Sequence, residues 1–220
     1  MEQNSNQQEE RTYLPRIGDV APQFTAATSQ GTVNLSDYSG KWVVLFSHPS
    51  DFTPVCTTEF VAFQEIYPEL RELNTELLGL SIDSVNSHIA WIRSIEENFN
   101  TTIEFPVIAD LDKGVAKKYG MIMPNESQVE TSRAVFVIDD KQYVRSIIYY
   151  PLTTGRNMQE ILRLVKALQK TDEKSVSTPA NWNPGDKAVV APPKTQEAAA
   201  NRANEEGIEY IDWYISKKDV

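Results

Sequence analysis

Residues 42–60 read WVVLFSHPSDFTPVCTTEF. The opening WVVLF is continuously apolar and rich in β-branched and aromatic residues, the signature of a short strand buried on both faces. Pro49 and Pro54 then interrupt the run and stiffen the chain. From there Phe60, Phe63, Gln64, Tyr67, Leu70 and Leu73 recur at helical spacing, which predicts an amphipathic helix over about 55–74 with a kink at Pro68. A buried strand passing through a stiff loop into an amphipathic helix is the repeating unit of an α/β fold.

The rest of the chain extends that pattern. ELLGLSID (76–83) reads as a second buried strand, and Ser87–Phe99 as a helix carrying Ile89, Ile92, Ile95 and Phe99. FPVIAD (105–110) is a third strand candidate, and Gly114–Tyr119 a short helix. Residues 134–150 form a hairpin-like pair around Asp140–Lys141. NMQEILRLVKALQ (157–169) is the clearest helix, with Met158, Ile161, Leu162, Val165 and Leu168 on one face. Upstream, residues 18–41 are rich in turn residues and suggest short extended pieces. A central sheet with helices follows, the late hairpin adding antiparallel strands. The competing dinucleotide-binding fold lacks its fingerprint, since no GxGxxG follows a strand. Near residue 171 the composition changes. Residues 175–220 are proline-rich and poor in apolar runs, with one weak strand at AVVA (188–191), and read as an extension that packs on another surface. Residues 1–10 read as a disordered tail.

The chain has 220 residues, 40% of them hydrophobic, and a formal net charge of −10. That charge argues against nucleic acid or an anionic membrane as partner. No apolar run approaches the roughly 18 residues of a membrane helix. The polar start MEQNSNQQEE lacks the pattern of a secretory signal, so a cytoplasmic protein is expected. One cysteine excludes an intrachain disulfide and fits a reducing compartment. With two scattered histidines, His48 and His88, it offers no metal-ligand spacing, and no cofactor is expected. Asp110 and Asp112 in ADLDKG lack the later ligands of a calcium loop and read as a turn.

A lone cysteine is most often a small buried hydrophobe. Three local features point elsewhere for Cys56. It lies on the first turn of the predicted helix, where unpaired N–H groups favour an anion. Thr53, Thr57 and Thr58 supply hydroxyls beside it, and two prolines stiffen the approach. A Cys–His hydrolase would need a base near the sulfur, with His48 and His88 the only candidates.

PSDFTPVC (49–56) is the PxxxTxxC signature of the peroxiredoxins, and the longer HPSDFTPVCTTE (48–59) resembles the one-cysteine, peroxiredoxin-six type branch. GDVAPQF (18–24), SRAVFVID (132–139), YYPLTTGRN (149–157) and TPANWNPGDKAVVAPP (178–193) extend the resemblance over about residues 13–195. It implies a thioredoxin-like mixed sheet flanked by helices over 11–172, and a small C-terminal domain over 173–220 engaged in dimer contacts. It also implies roles: Cys56 as peroxidatic nucleophile, Thr53 bonding the peroxide oxygens, Pro49 shielding the sulfur, and Arg133 stabilising thiolate and developing charge. Glu59 and Arg156 would orient these groups, and His48 would stand beside the pocket. The serine of the lipase stretch credited to some members is replaced by Lys41 in SGKWV (39–43), so that activity is not carried over.

The implied reaction is thiolate attack on a peroxide, giving a sulfenic acid. No second cysteine exists to resolve it, so an external reductant is required: glutathione, a thioredoxin-type protein or another small molecule. Relatives pair as homodimers through the strand within Tyr143–Tyr150, and larger rings are compatible with this sequence. The competing reading is a thioredoxin-like redox sensor or holdase that uses the same cysteine without turnover.

Overall fold

The computed structural model describes residues 14–220, so the expected tail at 1–10 lies outside the described residues. The chain folds into two compact units that part between Arg156 and Asn157. Composition places a boundary later, after the helix that follows; packing groups that helix with the C-terminal residues.

The first unit is built on a seven-stranded mixed sheet. Its strands are β1 (Thr25–Thr28), β2 (Gly31–Asn34), β3 (Trp42–Ser47), β4 (Thr75–Ser81), β5 (Val107–Ala109), β6 (Arg133–Ile138) and β7 (Val144–Tyr150). The spatial order is β2-β1-β5-β4-β3-β6-β7. The centre, β3-β4-β5, is parallel; every other pairing is antiparallel. Among the described residues three α-helices connect the strands: α1 (Pro54–Glu72), α2 (Val85–Phe99) and α3 (Gly114–Lys118). This is the expected thioredoxin-like arrangement, and the extended pieces of residues 18–41 prove to be the β1–β2 hairpin.

Every residue of β3 is buried, as its unbroken apolar run requires of a central strand. Val43 and Leu45 join one core with Leu78, Leu80, Ile108, Tyr119 and Phe136. Phe46 points to the other face and stacks on Phe63 of α1 with centroids 4.0 Å apart, while Phe60 meets it edge-on at 5.6 Å. Gly79 of β4 makes this packing possible: a Cβ there would lie 3.2 Å from the Phe46 ring. Helix α1 runs unbroken through Pro68, which supplies no N–H to the preceding turn.

Helix α2 starts two residues earlier than its apolar spacing predicts, because Ser84 caps it. The Ser84 hydroxyl accepts from Ser87 N–H at 3.2 Å. Ser84→Ala is expected to lower unfolding free energy by about 1 kcal/mol, read as a shifted urea midpoint at unchanged slope. Asp110, three residues ahead of the α3 N-cap Lys113, reaches over to accept from Val115 and Ala116 N–H, and ADLDKG is a turn leading into a helix.

The second unit contains α4 (Met158–Lys174), whose apolar stripe of Met158, Ile161, Leu162 and Val165 is buried. A three-stranded antiparallel sheet follows, ordered β8-β10-β9, from β8 (Ala188–Val189), β9 (Glu209–Asp212) and β10 (Ile215–Lys218). A short helix, α5 (Gln196–Asn201), precedes β9. Trp182 is buried there, its indole N–H donating to the Asp186 carbonyl. Among the described residues no helix is long and apolar enough to cross a membrane.

Candidate active site

Cys56 occupies the third position of α1, after Thr53 as N-cap and Pro54 at the first turn. Proline fits there because its missing N–H would have no helical partner. The sulfur is fully buried, yet its surroundings are charged. Arg133, the first residue of β6, donates from Nη1 to Cys56 Sγ at 3.4 Å. The strand pairing explains the approach: β6 lies against β3, whose C-terminal end feeds the loop into α1.

The Arg133 guanidinium is fixed on three sides. Nε and Nη2 donate to the Leu152 carbonyl at 2.9 and 2.8 Å, and Nη1 also donates to Glu59 Oε2 at 2.7 Å. These bonds use four of its five N–H groups. The remaining Nη2 hydrogen has no partner among the described residues. Glu59, one turn beyond Cys56, is shared with Arg156. It accepts from Arg156 N and Nε at 2.9 Å on Oε1, and from Nη2 at 2.7 Å on Oε2. Arg156 Nη1 is held by the Ser47 and Ala134 carbonyls, and its guanidinium lies over the Phe46 and Phe63 rings at 5.3 Å. Burial pushes the Glu59 carboxyl up, but the charge and hydrogen bonds of Arg156, with the charge of Arg133, hold it below its ordinary value.

Thr53 stands half-buried at the helix entrance, its hydroxyl donating to the Ser50 carbonyl at 2.9 Å. With its one hydrogen directed there, the hydroxyl oxygen is left with acceptor capacity. Pro49 is buried and Phe52 exposed in the same loop, Phe52 in the left-handed region at φ 55°.

Cys56, Arg133, Glu59 and Arg156 are thus joined by direct bonds. His48 belongs to a second constellation. Its Nε2 lies 3.0 Å from Asp51 Oδ1, and Asp51 also meets Nδ1 of His88 at 2.9 Å. The two histidines that look scattered in sequence are neighbours in space, and with Asp51 they form a fully buried cluster. Burial lowers the His48 pKa against the opposing pull of Asp51. Burial pushes Asp51 up, but hydrogen bonds from both histidines hold it well below the usual carboxylate range. Sequence reasoning assigns no role to Asp51 and considers His88 only as a candidate base of a hydrolase. Asp51 lies inside the signature stretch; nothing in the sequence alone brings His88 to it, because that contact spans strand β4 and the start of α2.

Two family models match the chain: the AhpC/TSA family over residues 17–147, and the C-terminal domain of 1-Cys peroxiredoxin over residues 167–206. A peroxiredoxin of Methanosarcina mazei is 55% identical over 217 residues, covering 94% of this chain and 99% of that protein. One from Aquifex aeolicus is 55% identical over 218 residues, covering 94% and 98%. Among solved structures, the yeast mitochondrial 1-Cys peroxiredoxin superposes with a TM-score of 0.84 at 40% identity, covering 94% of this chain and all of the other. Peroxiredoxin 6 of Arenicola marina gives 0.83 at 34% identity, covering 93% and 98%.

Proposed function

The chain belongs to the AhpC/TSA family, in the one-cysteine peroxiredoxin branch, and on that premise we propose that Cys56 reduces hydrogen peroxide and organic hydroperoxides and is restored by an external thiol. The observation that carries this reading is the 3.4 Å approach of Arg133 Nη1 to the chain's one cysteine sulfur. A guanidinium donor and the positive end of a helix together stabilise negative charge at that position.

The thiolate attacks the distal peroxide oxygen and the O–O bond breaks. The cysteine becomes a sulfenic acid, and the departing alkoxide or hydroxide takes up a proton. Arg133 supplies its uncommitted Nη2 hydrogen to the charge that develops on the leaving oxygen. Thr53 accepts the hydrogen of the peroxide, Pro49 walls the loop above the sulfur, and His48 flanks that loop. Glu59 and Arg156 act through Arg133, fixing where its N–H groups point.

Recovery takes two thiols. The first attacks the sulfenic sulfur, releases water and leaves a mixed disulfide; the second releases Cys56 as thiol and departs as the oxidised disulfide. A glutathione or thioredoxin-type system fits the requirement, as the solved yeast relative is described for those systems. A reducing, cytoplasmic setting suits such a cycle. The β7 edge of the sheet supports a homodimer by edge pairing, since it ends the strand order and exposes Tyr149.

Peroxide consumption in the presence of dithiothreitol, glutathione or thioredoxin with its reductase tests the proposal. Many equivalents consumed per chain with at least one reductant are expected. Consumption that stops at one equivalent with all of them would instead identify a redox sensor or holdase.

A further inference from the structure

His88 is buried on α2, and both of its ring nitrogens face acceptors. Nε2 lies 3.1 Å from the Ile108 carbonyl, which can only accept. Nδ1 lies 3.1 and 2.9 Å from the two oxygens of Asp51, which as a carboxylate can only accept. Each nitrogen must therefore carry a hydrogen. His48 differs: Nε2 donates to Asp51, while Nδ1 is buried without a partner among the described residues. One imidazolium, one carboxylate and one neutral imidazole leave these three side chains without net charge, which lowers the cost of burying them.

The cluster grips the loop that enters the site. Asp51 lies midway between Pro49 and Thr53. Its own N–H donates to Asp83 Oδ2 at 3.0 Å, and Ser81 Oγ donates to the same oxygen at 2.7 Å. His48 is tied by its N–H to the Leu80 carbonyl and by its carbonyl to Thr131 Oγ1. Helix α2 reaches the site a second time through Trp91, one turn beyond His88, whose indole N–H donates to Thr57 Oγ1 at 3.2 Å.

We propose that His88 is a doubly protonated positioning residue, an imidazolium strung between Ile108 and Asp51 that sets the loop of Pro49 and Thr53 over Cys56. The inference rests on the peroxidase reading only for the purpose of that loop; the proton count stands independently. Loss of either His88 hydrogen would strip a donor from Ile108 or from a buried carboxylate, and the loop would lose one of its anchors.

Long-range proton–nitrogen correlation spectra of the reduced, ¹⁵N-labelled full chain decide the proton count, because only two histidines contribute. At neutral pH one ring should show two protonated nitrogens and the other one protonated and one bare. His88→Gln should remove the first pattern, and Asp51→Asn should convert it to the singly protonated form. Two singly protonated rings in the wild type would overturn the proposal. In stopped-flow measurements, Asp51→Asn and His88→Gln should each slow oxidation of Cys56 about tenfold, and the double variant should lose no more than the worse single one. Unchanged or additive rates would also overturn it. If His88→Gln does not fold, the wild-type spectrum and Asp51→Asn still decide. Absence of wild-type turnover would defeat the peroxidase reading and leave the spectrum as it is.

Discussion

Cys56→Ser is expected to abolish peroxide turnover, by on the order of 10⁴-fold or more, while the protein stays folded. The size of the loss follows from the chemistry. Turnover needs an anionic, polarisable nucleophile, and a serine hydroxyl at this position is neither ionised nor able to form the oxidised intermediate. No other sulfur of cysteine exists in the chain to take over. Stability should change little by comparison. Serine occupies slightly less volume, its oxygen can accept the Arg133 Nη1 hydrogen that the sulfur accepts, and Arg133 keeps its bonds to Glu59 and Leu152. The measurement is peroxide consumption with the best reductant, alongside a urea unfolding curve. Turnover retained by a folded Cys56→Ser chain would place the reacting group elsewhere.

How much of the molecule is legible in its sequence depends on the length of the signal. Strand β3 and helix α1 are legible because burial on both faces and helical spacing each leave a long, regular trace. Their junction locates Cys56 on a first helical turn without any coordinate. The bonds of Arg133 and Arg156 are not legible from the residues alone: both lie on distant parts of the chain, and an arginine beside a strand is ordinarily a solvated surface group. Only the family pattern singles them out. The hairpin of β9 and β10 escapes because EYID and ISKK are four residues each, mostly exposed or half-buried and without sustained alternation. The His48–Asp51–His88 cluster escapes for a topological reason. Parallel pairing of β3 with β4 carries residue 48 next to residue 80, and α2 then returns His88 over Asp51. No local spacing encodes that meeting.

Glu59→Gln is expected to cost about 3–5 kcal/mol of stability at neutral pH, the range for removing one partner of a buried ion pair. Glu59 is 2% exposed and accepts four hydrogen bonds from two guanidiniums and a backbone N–H. An amide replaces one accepting oxygen with a donor that confronts those guanidiniums, and it removes the carboxylate charge that both buried arginines share. The pH dependence has a definite sign. Burial pushes the Glu59 carboxyl up, but Arg156 and Arg133 outweigh it, so its folded value lies below that of the unfolded chain. The unfolded chain then binds the proton more readily, and the carboxylate's contribution is complete above the ordinary glutamate range, roughly pH 4 to 5. It is lost as the pH falls through the lowered folded value. Urea unfolding of wild type and Glu59→Gln should therefore differ most near neutrality and converge in acid. The variant should also oxidise Cys56 more slowly, since Arg133 Nη1 loses the oxygen that aims it at the sulfur. A stability gap that is absent, or that persists undiminished into acid, would mean that the carboxylate does not hold the two guanidiniums in place.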